Sequence, residues 1–235
     1  AFISFTNKAV NTAIDRALSA FPQYTIENFT RFKTLHKYCR RYFKEEIFDI
    51  KNCMIDYALQ ESILKRSDNR LEDDEFIYKD WSLSIYDKAR NMMMDPIKVY
   101  KMESYKKDNI DVFQRKIATY EHYKKDSFID FTDMIERAID EIDFPPLDVL
   151  ILDEAQDFTP LQWSVLYKLA KDSKRIYLAG DDDQGIYQWN GADSKYFTTY
   201  FPGRKVVLRK TRRFGEAIHH FTEIIRRGIM DSEEK

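Results

Sequence analysis

The sequence predicts an α/β protein built on a parallel sheet and interrupted by an inserted helical subdomain. Short apolar runs (FISFT, LDVLILDEA, RIYLAG and KVVLR) alternate with amphipathic helical segments. Strands alternating with helices imply parallel pairing through right-handed crossovers. From about Phe43 to Lys125 the texture changes: charges of both signs interleave with apolar residues at helical spacing, and glycine is absent. Two of the strands also end abruptly in acids, LILDEAQD and LAGDDDQ.

FISFT is rich in strand formers. After it Val10, Ala13, Ile14, Ala17 and Leu18 share one helical face, Thr6 or Asn7 can cap that helix, and Pro22 ends it. YTIENFT reads as a second short extended piece leading into FKTLHKYC and a long helical pattern. Within the insertion, loop signals are confined to residues 67–75 and to Asp95-Pro96. The α/β texture returns with FIDFTDMIERAIDEI, a helix capped by Asp130 with Asp133 as its capping-box partner. LDVLILDEA is apolar enough for burial on both faces of a parallel sheet. Thr159-Pro160 supplies an N-cap and an N1 proline, and Leu161, Val165, Leu166 and Leu169 form the next buried face. RIYLAG and KVVLR are two further strands, and GEAIHHFTEIIRRG is a final amphipathic helix.

The composition narrows the class. The 235 residues are 43% hydrophobic and 33% charged, the balance of a globular protein with a sizeable core. No apolar run approaches the roughly 20 residues needed to span a bilayer. Cys39 and Cys53 fit neither a disulfide framework nor a metal-ligand spacing, and read as free thiols. A net charge of −2 gives no global basic signature, although a local groove can still be basic.

In a parallel α/β sheet, ligands collect beyond the carboxyl ends of the strands. Asp153 and Glu154 stand where one strand ends, and Asp181 and Gln184 where the next one ends. Hard carboxylate oxygens suit Mg²⁺, which keeps most of its waters and meets protein through one or two carboxylates. A second carboxylate can orient or deprotonate a water for attack on phosphorus.

VLILDEAQD followed by LAGDDDQGIYQWNGAD resembles motifs II and III of the UvrD/Rep-like superfamily 1 DNA helicases. ISFTNKAVNTAIDRAL resembles motif Ia, FKTLHKYC motif Ib, FIDFTDMI the segment upstream of DEAQD, and LRKTRRFGEAI motif IV. The resemblance implies a RecA-like P-loop NTPase fold. Residues 1–42 and 126–205 would form its two parts, 43–125 an inserted 1B-like subdomain, and 206–235 the start of a second RecA-like domain.

It also implies roles. Asp153 would bind Mg²⁺ through ATP, Glu154 would activate the hydrolytic water, and Gln184 would sense the γ-phosphate. Arg213 would reach the same phosphate, a task suited to the planar guanidinium fork. Arg212 stands where the family usually has an aromatic stacked on adenine. Trp189 would stack on a base of single-stranded DNA, with Tyr187 beside it and Phe5 as a second base contact. Thr34 and His36 would touch the DNA backbone. Asn190 replaces an arginine common in the family.

The phosphate loop GxxxxGK[ST] does not occur in the sequence, and the resemblance places it before motif Ia. The chain therefore reads as the central part of a longer helicase, and is expected to have no significant ATPase activity alone. The expected parent is an ATP-dependent 3′→5′ translocase acting on single strands and single/double-strand junctions. It would work in the cytoplasm of a bacterial, archaeal or phage-infected cell, or in a nucleus if eukaryotic. The alternative is an inactive helicase-like module that binds single-stranded DNA or docks a partner.

Overall fold

The computed structural model describes residues 1–43, 81–103, 108–124, 129–208, 210 and 215–233, with side chains to residue 225. The expectations placed on Cys53, on the 67–75 loop and on Arg212 and Arg213 lie outside the described residues. Two compact units are present, Ala1–Phe201 and Pro202–Lys235.

In the first unit, β1 (Phe2–Ser4), β2 (Phe32–Thr34), β3 (Val149–Asp153) and β4 (Arg175–Leu178) form a parallel sheet ordered β2-β1-β3-β4. The register fixes where the chemistry sits. Ser4 lies opposite both Thr34 and Asp153, so three strands end level on one edge of the sheet. Phe5, Leu35 and Glu154 all leave from that edge.

α1 (Asn7–Ala20) starts at Thr6, whose hydroxyl accepts the Ala9 amide, and ends just before Pro22. The five positions predicted to share a face are all buried or half-buried, and Ala9 is half-buried beside them. α2 (Leu35–Arg40) is capped by Thr34. α6 (Phe131–Glu141) and α7 (Pro160–Lys171) follow three further helices, α3 (Trp81–Asn91), α4 (Pro96–Met102) and α5 (Ile110–Lys124). The caps are those the sequence implies. Asp130 and Asp133 exchange side-chain and backbone bonds at 2.7 Å each, and Thr159 does the same with Gln162. Asp95-Pro96, read as a loop signal, is the N-cap and first residue of α4.

The main core packs Ile3, Leu150 and Leu152 against Met134, Ile135 and Ala138 of α6 and Leu161, Val165 and Leu166 of α7. Each of these side chains larger than alanine stabilises the fold by about 1.5–3 kcal/mol on burial. Helices α3, α4 and α5 have their own cluster, Ile85, Ala89, Val99, Tyr100 and Phe113.

A buried charge network ties the two together. Arg90 of α3 pairs with Asp130 at 2.9 Å, Asp133 at 2.5 Å and Glu136 at 2.6 Å. Lys124 of α5 reaches the same Asp130 and Asp133 at 3.0 and 2.9 Å, and the Tyr120 hydroxyl donates to Asp130 at 2.8 Å. Burial alone would push the Asp130 carboxyl up, but Arg90 and Lys124 outweigh it and hold it well below the usual carboxylate range.

Three sequence expectations need correction. YTIENFT is not extended: Ile26–Phe29 is a short 3₁₀ helix. Thr25 and Asn28 bond to each other's backbone there, a local alternative that displaces the strand onto the following FKT. β3 is not buried on both faces, since Leu150 and Leu152 point into the core while Val149 and Ile151 stay half-exposed. Among the described residues of KVVLR, Lys205–Leu208 form no strand, because no described neighbour pairs with them.

The second unit contains α8 (Glu216–Glu233), whose Ile218, Phe221, Ile224 and Ile225 are exposed.

Candidate nucleotide and nucleic-acid site

Asp153 is the last residue of β3, and Glu154 follows it in a left-handed conformation, φ 53° and ψ 46°. A non-glycine residue held there is uncommon and costs backbone energy, so the surrounding structure must enforce it. The enforcement is visible. The Ala155 amide donates to the Ala179 carbonyl at 3.0 Å, and the Ala179 amide to the Leu152 carbonyl at 2.8 Å, which zips the ends of β3 and β4 together.

Gln156 completes the junction. Its Nε2 donates to Glu154 Oε2 at 2.9 Å, and its Oε1 accepts the Asp181 amide at 3.0 Å. Only 2% of this residue is exposed. A Cβ at Gly180 would come within 2.5 Å of Gln156 Oε1, so glycine is what lets the amide approach. Asp181 caps the Asp182–Gln184 turn, and Gln184 Nε2 returns to Asp181 Oδ2 at 2.5 Å. The two acid-tipped strand ends therefore form one hydrogen-bonded junction. Sequence reasoning passed over Gln156, although it lies inside DEAQD, because its second partner, Asp181, lies 25 residues on, in the turn that follows β4.

Among the described residues no group of three or more histidine, cysteine, aspartate or glutamate side chains could hold a metal by itself. The donor set at Asp153 and Glu154 fits Mg²⁺ that arrives on a nucleotide, where phosphate and water fill most of the coordination sphere. Asp157, the last acid of the motif, is pushed up to about 6 by burial and by the neighbouring Glu154 charge. It therefore holds a proton at a higher pH than an ordinary aspartate does.

Beyond the junction the aromatic residues line up. Tyr187 packs on Phe5 with ring centroids 4.7 Å apart, and on Trp189 at 6.4 Å, while Phe5 also meets Phe158 edge-on at 6.0 Å. Trp189 is 67% exposed, so it is not a core tryptophan. Gly191 takes φ 91°, and a Cβ there would lie 2.7 Å from Met92 Cγ, so the QWNG turn sits tightly on the end of α3.

A cleft of about 400 Å³ opens beside this row, with Phe5, Thr34, His36 and Asn190 in its wall. The structure thus gathers Phe5, Thr34 and His36 around one cleft and sets Asn190, the neighbour of Trp189, at its rim. Thr34 is buried and accepts the Lys37 amide at 3.4 Å, so its hydroxyl caps α2. His36 packs edge-on against Phe131 at 5.3 Å, and burial pushes its pKa down to about 4. It faces the cleft as a neutral imidazole.

The cleft also holds residues that the sequence did not single out. Asn91 of α3 donates to Thr132 Oγ1 at 3.3 Å and accepts from the Thr159 hydroxyl at 3.2 Å. Asp87 accepts from the Thr132 hydroxyl at 2.6 Å. Their only sequence signal is membership of an amphipathic helix, which does not tell a core polar group from a solvated one.

A parallel α/β domain that brings a carboxylate pair, a glutamine turn and a half-buried aromatic pair beside an exposed tryptophan to one sheet edge has the architecture of a RecA-like domain. The chain belongs to the UvrD/REP helicase family, whose N-terminal domain pattern matches residues 1–201. It is 30% identical over 228 residues to the ATP-dependent DNA helicase PcrA of Leuconostoc citreum, covering 88% of this chain and 30% of that protein. It is 28% identical over 230 residues to the ATP-dependent DNA helicase Rep of Buchnera aphidicola subsp. Baizongia pistaciae (strain Bp), covering 88% and 32%. With PcrA of Bacillus subtilis (strain 168) the identity is 26% over 239 residues, covering 90% and 31%. The chain spans about a third of the length of these curated relatives.

Proposed function

We infer that the chain is the part of an ATP-dependent DNA helicase that handles magnesium and the hydrolytic water and grips one strand of DNA. The observation that carries this reading is the Phe5–Tyr187 ring contact, which seats the base-stacking loop against the strand edge that bears Asp153 and Glu154.

In this reading Asp153 holds the Mg²⁺ that accompanies ATP, and that ion neutralises charge on the phosphates. Glu154 accepts the proton of the attacking water, and Gln184 reports whether the γ-phosphate is present. The family resemblance assigns Arg213 to the γ-phosphate and Arg212 to the adenine base, and both lie outside the described residues. Trp189 and Phe5 stack on bases of a single strand, and Tyr187, packed against both rings, joins them in the DNA contact. Thr34 and His36 meet the strand's backbone. Movement with 3′→5′ polarity and action at single/double-strand junctions come from the family resemblance. The helicase works in the cytoplasm, or in the nucleus of a eukaryote.

No GxxxxGK[ST] sequence is present to cradle phosphates through backbone amides, so this chain alone is not expected to turn over ATP. The test is binding of the purified chain to oligo(dT) and to blunt duplex, followed by intrinsic tryptophan fluorescence with Trp189→Ala as the control. Salt-sensitive, sequence-tolerant binding to the single strand is expected. Equal affinity for blunt duplex, or binding without a change in fluorescence, would refute the strand-gripping reading. Clear DNA-stimulated ATP hydrolysis by the chain alone would refute the division of the nucleotide site.

A further inference from the structure

We propose that Gln156 is a positioning residue that carries the state of the DNA-stacking loop to the water-activating carboxylate. The inference rests on the helicase reading above and deepens it. The path is continuous. Glu154 Oε2 accepts from Gln156 Nε2, Gln156 Oε1 accepts from the Asp181 amide, and Asp181 Oδ2 accepts from Gln184 Nε2. Gln184 is three residues from Tyr187, whose ring rests on Phe5 and neighbours Trp189.

Three features make the amide a linkage rather than a filler. Both of its ends are used, one on each strand end, so neither loop can shift without straining the bond to the other. It is buried, so water does not readily replace either partner, and an unmade bond there carries the full cost of desolvation. Gly180 leaves room for the approach, and a side chain at that position would collide with Gln156 Oε1. Glu154, held in the left-handed region, has its carboxylate turned by this single donor among the described contacts. A displacement of the Asp181–Gln184 turn when a base stacks on Trp189 therefore rotates the Glu154 carboxylate.

Gln156→Leu removes both bonds at similar volume. Gln156→Glu keeps an acceptor for the Asp181 amide but replaces the donor to Glu154 with a like charge. Hydrogen–deuterium exchange of the wild-type chain with and without oligo(dT) is the readout. Bound oligo(dT) slows exchange several-fold in two segments, Gly185–Gly191 and Glu154–Asp157. In both variants protection persists at Gly185–Gly191 and is lost at Glu154–Asp157, while exchange in α7 matches wild type and shows the fold intact. Should Gln156→Leu alter α7, the Glu variant carries the test. Protection that still reaches Glu154–Asp157 in the folded variants, or that never reaches it in a DNA-bound wild-type chain, overturns the proposal alone. A wild-type chain that fails to bind oligo(dT) overturns the helicase reading and this inference with it.

Discussion

The ring of Phe5 lies against the ring of Tyr187, centroids 4.7 Å apart and planes tilted by 46°. One residue leaves the first strand of the sheet and the other follows the last, so the contact closes the strand edge across some 180 residues of sequence. It also explains why Trp189 can stay exposed on a short turn, because its neighbour is anchored to the sheet. Trp189→Ala should weaken oligo(dT) binding by about 1–3 kcal/mol, roughly 5- to 150-fold, and abolish most fluorescence quenching by DNA. Thermal unfolding should barely move, since an exposed ring contributes little to the core. Unchanged affinity would remove Trp189 from the strand-gripping row.

Gly191 is the hinge of that turn. Its φ of 91° disfavours any L side chain, and a Cβ would press on Met92 Cγ at 2.7 Å. Gly191→Ala should cost about 1–2 kcal/mol in urea unfolding and shift the emission of Trp189. Wild-type stability with unshifted emission would show that the turn adapts without loss.

The Arg90 network predicts a larger effect. Arg90 is the cation shared by Asp130, Asp133 and Glu136, and its removal leaves buried carboxylates with Lys124 alone to balance them. Arg90→Met should destabilise the chain by about 3–5 kcal/mol, read from urea unfolding. The sign of its pH dependence follows from Asp130, whose pKa is held below its unfolded value. That contribution is present above the unfolded aspartate pKa, near 3.9, and disappears only as pH falls through the lower folded value. A loss below 1 kcal/mol would mean that Lys124 suffices.

How much of this was legible in the sequence follows the range of each interaction. Asp130 with Asp133, and Thr159 with Pro160, act within one helical turn, and they form the caps that their spacing implies, while the reciprocal bond from Gln162 was not singled out. The acid-tipped strands were legible because strand ends concentrate ligands in any parallel sheet. Arg90, Asn91 and Gln156 were not, since the partners that matter lie 40 or more residues away or, for Gln156, 25 residues on in the turn after β4. Strand FKT was misplaced for the opposite reason. Three residues on a sheet edge carry too little periodicity to outweigh the YTIENFT run before them.

His36 faces the cleft as a neutral ring, its pKa pushed down to about 4 by burial. Its imidazole resonances should therefore stay constant between about pH 5.5 and 8, a range that lies above the folded value and spans the ordinary histidine pKa near 6.5. Oligo(dT) affinity should show no histidine-linked rise on acidification through pH 6.5, the ordinary imidazole range, beyond that of His36→Asn. A His36 titration near that range would contradict the packed geometry against Phe131.

Asp87 gives the opposite sign from Asp130. Burial raises its carboxyl to about 6, the Thr132 hydroxyl offsets this only in part, and Asp130 nearby raises it further. Arg90 and Lys124 pull the other way but spend their charge on Asp130 and Asp133. A carboxyl whose folded pKa exceeds its unfolded value stabilises the fold fully below the unfolded pKa, and that stability fades as pH rises through the folded one. The chain should therefore lose stability between about pH 4 and pH 6 on this account, against the general trend of its paired acids. Asp87→Asn keeps an oxygen for the Thr132 hydroxyl and removes the charge. It should flatten that part of the stability–pH curve and raise the melting temperature at pH 7.5. A variant that follows the wild-type slope would show that Asp87 stays ionised, with the cations of α3 and α5 reaching it more strongly than their geometry indicates.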